Sequence, residues 1–104
     1  MSVVVIATLW PIAEKRAEVV AALGESIPDV HAEEGCELYA LHENEDRLVY
    51  VEQWASAELL KAHSIGAALA KVNPKLEGLL AKPTEVVVVS PLPFGDARKG
   101  ALRA

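Results

Sequence analysis

Two short segments, VVVIATL near the start of the chain and EVVVV near its end, are apolar at odd and even positions alike. Side chains alternate between the two faces of a strand, so an unbroken apolar run marks a strand buried on both sides. A sheet built around two such strands needs cover on each face. With 104 residues the chain makes about one domain, and its helical segments suffice for one face only. A second copy of the chain is the simplest cover for the other, and a symmetric homodimer is the commonest form of such pairing. The hydrophobic share of 52%, high for so small a chain, points the same way.

The order of hydrophobic periods sets the fold. Residues 3–10 form a β-branched run of strand length, ended by Pro11, whose fixed φ suits a helix start. From Ile12 the segment IAEKRAEVVAALGESI is rich in helix formers, with Ala17, Val20, Leu23 and Ile27 at helical spacing. Gly24 and Pro28 predict a kink or an early stop before Gly35 turns the chain. Residues 37–43 and 47–54 are short runs joined by Asn44, Glu45 and Asp46, the pattern of an antiparallel hairpin. Ser56 then caps a helix, and in the helical stretch GAALAKVNPKLEGLLAK the Asn73-Pro74 pair predicts a break. Residues 84–90 are the last strand. The order strand, helix, strand, strand, helices, strand predicts an α+β, ferredoxin-like βαββαβ domain over residues 1–90. Residues 91–104, proline-led and without a period, are expected to be a C-terminal arm or a disordered tail.

Charge and cysteine usage exclude several classes. The net charge is −5 and Lys and Arg are scattered, so the positive patch that grips a phosphate backbone is missing and no nucleic acid partner is expected. Cys36 is the only cysteine, which rules out an intrachain disulfide framework and a thiolate metal cluster. MSVVVIATLWP has no basic region before its apolar run and no small-residue cleavage site after it, and no apolar stretch approaches membrane-spanning length. A soluble cytoplasmic protein is expected. His31, His42 and His63 lack a ligand-like spacing, so no metal is expected either.

Chemistry is concentrated in EQWASAELLKAHS, residues 52–64. With Ser56 as the cap, Leu59, Leu60 and His63 share the stripe that turns inward, and an inward imidazole needs a partner or a job. Period-two alternation puts Leu48, Tyr50, Glu52 and Trp54 on one face of the third strand and Val49, Val51 and Gln53 on the other. His63, arriving from the next helix, can approach that face and meet Glu52 or a bound hydroxyl. An imidazole titrates near neutral pH and can take a phenolic proton, and a nearby carboxylate orients the ring. Tyr39 and His42 fall on opposite faces of the second strand, so at most one of them reaches the same pocket.

Gly35, Cys36 and Tyr39, then Glu52 and Trp54 closing a strand, then Ala62 and His63 ending a helix, resemble the antibiotic biosynthesis monooxygenase family of dimeric α+β barrel proteins over roughly residues 3–90. The resemblance implies two sheets paired back to back, with a pocket in each subunit between its sheet and its helices. It also implies oxidation of a small phenolic, quinol or polyketide-like aromatic molecule by O₂, with neither metal nor flavin as cofactor. In those terms His63 and Glu52 are the candidate catalytic residues, and Trp54, Tyr50 and Tyr39 the candidate substrate-binding residues. Two departures qualify it. A second histidine that members often carry about five residues after the first is replaced near Ala67 or Ala68 by alanine, and residues 3–9 lack the asparagine of haem-degrading relatives, which disfavours haem.

Structural readings stand beside these. His63 can cap or bridge within the core, Glu52 can pair with a lysine at the sheet edge, and Trp54 and Tyr50 can be plain pocket wall. A non-catalytic ligand-binding dimer, or an isomerase or cyclase on the same fold, is the alternative to a cofactor-independent monooxygenase.

Overall fold

The apolar run at the N-terminus forms the strand around which the rest is assembled. In the computed structural model, which describes residues 1–103, this strand β1 (Val3–Pro11) is followed by a 3-10 turn (Ala13–Lys15), α1 (Arg16–His31), β2 (Cys36–Glu43), β3 (Leu48–Trp54), α2 (Ala57–Ser64), α3 (Ala67–Leu76) and β4 (Leu80–Val89). The sheet order is β2-β3-β1-β4 and every neighbouring pair is antiparallel, which is the ferredoxin-like α+β arrangement. β1 is central, with Ala7 opposite both Tyr50 and Val86 and Ile6 opposite both Val51 and Val87. Pro83 sits in β4, an edge strand, where a missing ladder donor is tolerated.

The helices cover one face. Val5, Ala7, Leu9, Tyr39, Leu48, Tyr50 and Trp54 pack there against Val19, Leu23 and Val30 of α1 and Val72 of α3. The stripe that α1 buries runs through Val19, Leu23, Ser26 and Val30, whereas Ala17 and Val20 of the expected stripe are exposed. Packing of Val19, Leu23 and Val30 against the sheet fixes this rotation, and the exposed Arg16–Glu43 pair at 2.8 Å, from the first residue of α1 to the end of β2, is compatible with it.

Neither proline stops its helix. α1 runs through Gly24 and Pro28 to His31, and α3 runs through Asn73 and Pro74 to Leu76. Pro28 and Pro74 each remove one helical hydrogen bond, from the carbonyls of Gly24 and Ala70. Both of those residues are exposed, so water can replace the lost donor. The helical break falls instead at Ile65 and Gly66, between α2 and α3.

The opposite face of the sheet is open. Ile6, Val49 and Val51 are half-buried there, and Val87 and Val89 are 45% and 44% exposed. Residues 90–103 turn back over one end of this face: Val4 and Val89 border a hollow closed by Pro91, Ala101 and Leu102. Among the described residues no helix is long and apolar enough to cross a membrane.

Candidate functional site

Strand alternation brings the first part of the site together. Leu48, Tyr50, Glu52 and Trp54 all turn to the helical face and all are buried. Glu52 Oε1 accepts a hydrogen bond from Trp54 Nε1 at 2.9 Å. Tyr39, opposite Glu52 in the β2–β3 register, stacks on Tyr50 at 4.3 Å between ring centroids. His42 is exposed on the other side of β2. Gln53 also points away from the helices, yet it is buried because the tail lies over it, its amide donating to Glu37 at 2.8 Å and to the Arg103 carbonyl at 3.3 Å.

α2 supplies the histidine. Ser56 Oγ accepts from the Leu59 amide at 3.2 Å, fixing where the helix starts and so which residues face the sheet. His63 is 6% exposed, stacks on the Trp54 indole at 4.4 Å and meets Tyr39 edge-on at 5.5 Å. Its Nδ1 donates to Glu33 Oε1 at 2.6 Å. The orienting carboxylate is therefore Glu33, and Glu52, which the sequence placed in that role, bonds the indole instead.

Glu33 lies in the turn between α1 and β2, thirty positions from His63 in the chain, and two glycines let the turn reach it. Gly35 has φ of +82° and lies flat against α2: a Cβ there would come within 2.5 Å of Leu59 Cδ1. The Ala55 amide donates to the Gly35 carbonyl at 2.9 Å, pinning the turn to the end of β3. On the far side, a Cβ at Gly66 would stand 3.0 Å from the Ala62 carbonyl and 3.4 Å from Glu33 Oε2. Glu33 thus sits between two close backbone approaches.

Beside these groups lies a cavity of about 230 Å³ between the sheet and the helices. Val5, Ala7, Leu9, Leu23, Leu60 and Val72 give it apolar walls, and Tyr39, Tyr50, Glu52, His63 and Ser26 give it polar ones. Asn73, Thr84 and Val86, all exposed, line it as well, so it opens between α3 and β4. All five candidates from the sequence are brought together here, four of them on the cavity wall and Trp54 directly behind His63 and Glu52.

Burial orders the titrating groups. It pushes the Tyr50 phenol up to about 12, moderated by the nearby Tyr39 and Ser26 hydroxyls, and lifts Tyr39 further still, with Tyr50 and Glu52 adding to the effect. Both phenols therefore stay protonated at physiological pH, as donors and not bases. The Tyr50 hydroxyl is buried and makes no hydrogen bond among the described residues. Burial, then Glu33 and Glu52, raises the Cys36 thiol, which lowers its share of the nucleophilic thiolate. Glu52 is raised by burial, against the opposing effects of the Trp54 N–H and of His63. Among the described residues no three metal-ligating side chains gather, and His31 bonds the Tyr39 carbonyl at 2.9 Å.

A ferredoxin-like α+β chain with a sheet-to-helix cavity floored by Tyr, Glu and His defines a class of small pocket-bearing proteins. The family model described as antibiotic biosynthesis monooxygenase matches residues 2–73, and the chain belongs to that family. Among solved structures, Rv0793 of Mycobacterium tuberculosis is 30% identical at a TM-score of 0.84, the match covering 92% of this chain and all of the other. A conserved protein of Methanosarcina mazei is 25% identical at 0.80, covering 85% of this chain and 90% of the other. A structure described as an antibiotic biosynthesis monooxygenase shares the fold at 0.81 with 20% identity, covering 88% and 99%. No curated protein matches the sequence.

The raised Glu52 carboxyl has a consequence for stability. The unfolded group titrates near 4.5 and the folded one higher, so between the two values the folded chain holds the extra proton. Its favourable contribution is complete below 4.5 and is lost as pH rises through the folded value. Glu52→Gln keeps an acceptor for Trp54 and removes the ionisation. Melting by circular dichroism at pH 4.5 and 7.5 should show the variant gaining on the wild type at the higher pH; a pH-independent difference would contradict the assignment.

Proposed function

We propose that the cavity binds a small phenolic or quinol molecule and that His63 removes its phenolic proton, starting a cofactor-independent oxidation by O₂. The observation that carries this reading is the 2.6 Å bond from His63 Nδ1 to Glu33, made by a buried histidine that also lines the cavity. With Nδ1–H held by a carboxylate, the neutral ring has its lone pair on Nε2, where it can take a proton. The phenolate then passes one electron to O₂, and the radical and superoxide combine at a ring carbon. Loss of water from that hydroperoxide leaves a quinone carbonyl, so one oxygen atom enters the product and the other leaves as water. The apolar walls keep the radical pair from solvent. Trp54 and Tyr39 hold the imidazole by stacking and edge contact.

The same reading includes a homodimer. Ile6, Val49, Val51, Val87 and Val89 make an apolar patch on the face away from the helices, of the kind that a second copy covers. Family membership supports this arrangement.

In an oxygen electrode with a hydroquinone, His63→Ala should lower O₂ uptake by about 10²-fold or more while the chain stays folded, and Glu33→Gln should fall between it and the wild type. Full activity in His63→Ala would remove the catalytic claim in favour of a ligand-binding role. Product formed equally well without O₂ would reassign the pocket to an isomerase or cyclase.

Light scattering at micromolar concentration should give twice the mass of the chain. Val87→Asp, which places an unpaired charge in the covered face, should give monomer and a lower melting temperature. A monomeric wild type would overturn the pairing.

A further inference from the structure

One buried polar atom at the cavity stands without a partner. Tyr50 is 3% exposed and lines the cavity, and its hydroxyl oxygen is buried with no hydrogen bond among the described residues. The nearby hydroxyls of Tyr39 and Ser26 influence it without bonding it. Ser26 Oγ has its own hydrogen committed to the Leu23 carbonyl at 2.8 Å, and the Tyr39 ring lies stacked on the Tyr50 ring at 4.3 Å. Burial keeps the Tyr50 phenol protonated, so the orphaned group is an O–H donor. A buried O–H with no acceptor is costly, and its place on a cavity wall points to a partner that enters from outside the chain.

We infer that Tyr50 is a specificity-determining residue of the cavity, its hydroxyl donating a hydrogen bond to a carbonyl oxygen on a neutral aromatic ligand. This rests on the reading of the cavity as the ligand site, and it adds a second recognised group to the phenol that His63 deprotonates. A small tilt of the Tyr50 ring brings the hydroxyl to the cavity wall, where the ligand oxygen becomes the missing acceptor. A carbonyl suits this place because it offers lone pairs and no competing hydrogen. An anion does not, since among the described residues no lysine or arginine lines the cavity to balance it. Size limits the class further: a cavity of about 150 Å³ accommodates one benzene ring, so about 230 Å³ suits one ring or two fused rings.

Tyr50→Phe removes the hydroxyl and keeps the ring, so it tests both halves of the inference. In the ligand-free chain the variant should melt at or above the wild-type temperature, because no hydrogen bond is lost with the hydroxyl. A lower melting temperature, or failure to fold, would mean that Tyr39 or Ser26 already takes the hydrogen, and would overturn the inference. Anaerobic calorimetric titration then compares 1-tetralone with tetralin, the same two rings with CH₂ in place of C=O. The ratio of their affinities, tetralone over tetralin, should be about tenfold higher in the wild type than in Tyr50→Phe, the range of one hydrogen bond to an otherwise unpaired buried group. Taking the ratio cancels the different hydrophobicity of the two probes. An equal ratio in both proteins, or no binding of 1-tetralone by the wild type, would overturn the inference. In the wild type alone, the infrared carbonyl stretch of bound 1-tetralone should lie below its value in hexane, and an unshifted band would also overturn it. O₂-dependent oxidation of a hydroquinone with no carbonyl preference in the titration would remove the inference and leave the chemistry. A carbonyl preference in a chain whose His63→Ala variant is fully active would keep the inference and remove the base.

Discussion

The hydrogen bond between Glu33 and His63 is the contact on which the site depends, because it ties the imidazole to a turn thirty positions away in the chain. Glu33 belongs to the turn after α1 and His63 to the end of α2. A 2.6 Å charge-assisted bond in a largely buried setting fixes the ring's rotation and its tautomer together. The surroundings serve that contact. Gly35 lets the turn lie on Leu59, Gly66 leaves room beside the Glu33 carboxylate, and Ser56 sets the phase of α2. Trp54 then acts as a shared wall, holding the imidazole on its face and the Glu52 carboxylate at its N–H. The cavity's polar groups are thus held by packing and by bonds that point away from the space a ligand would occupy.

Much of this was legible in the sequence, because it follows from periodicity. The alternation in LVYVEQW placed Tyr50, Glu52 and Trp54 on one face, and the spacing from Ser56 turned His63 inward, as the structure has them. Glu33 was not legible. Its place depends on how a turn docks on a helix far along the chain, and a glutamate in EEG carries no periodic signal. The nearby glycines at 35 and 66 were the available hint, since a close backbone approach on either side of a carboxylate marks a packed turn. The stripe of α1 differs from the expected one for a related reason: helical spacing gives the period, but the phase follows from how Val19, Leu23 and Val30 pack on the sheet. The early stop allowed at Pro28, beside a kink, and the break expected at Asn73-Pro74 do not occur, because the cost of a proline depends on whether the carbonyl it strands can reach water.

The two faces of the sheet carry different chemistry. On the helical side, apolar walls surround a few polar groups, of which the buried Tyr50 hydroxyl makes no hydrogen bond among the described residues, the pattern of a ligand pocket. On the other side, valine and isoleucine predominate among a few polar residues, Thr8, His42 and Glu85, and the buried Gln53 is satisfied by Glu37 and by the tail. The doubly apolar strands at the two ends of the sequence are explained by this division. β1 and β4 contribute to the pocket with one set of side chains and to the open face with the other.

The most direct test of the site is the protonation pattern of the His63 ring, read from two-bond nitrogen–proton correlations in a uniformly ¹⁵N-labelled chain at a pH where the ring is neutral. The Glu33 bond requires the proton on Nδ1 and the lone pair on Nε2. Observation of the Nδ1–H tautomer, lost or mixed in Glu33→Gln, is the expected result. A neutral His63 protonated on Nε2 would mean that the nitrogen beside the cavity is a donor, and the base assigned to this pocket would not exist.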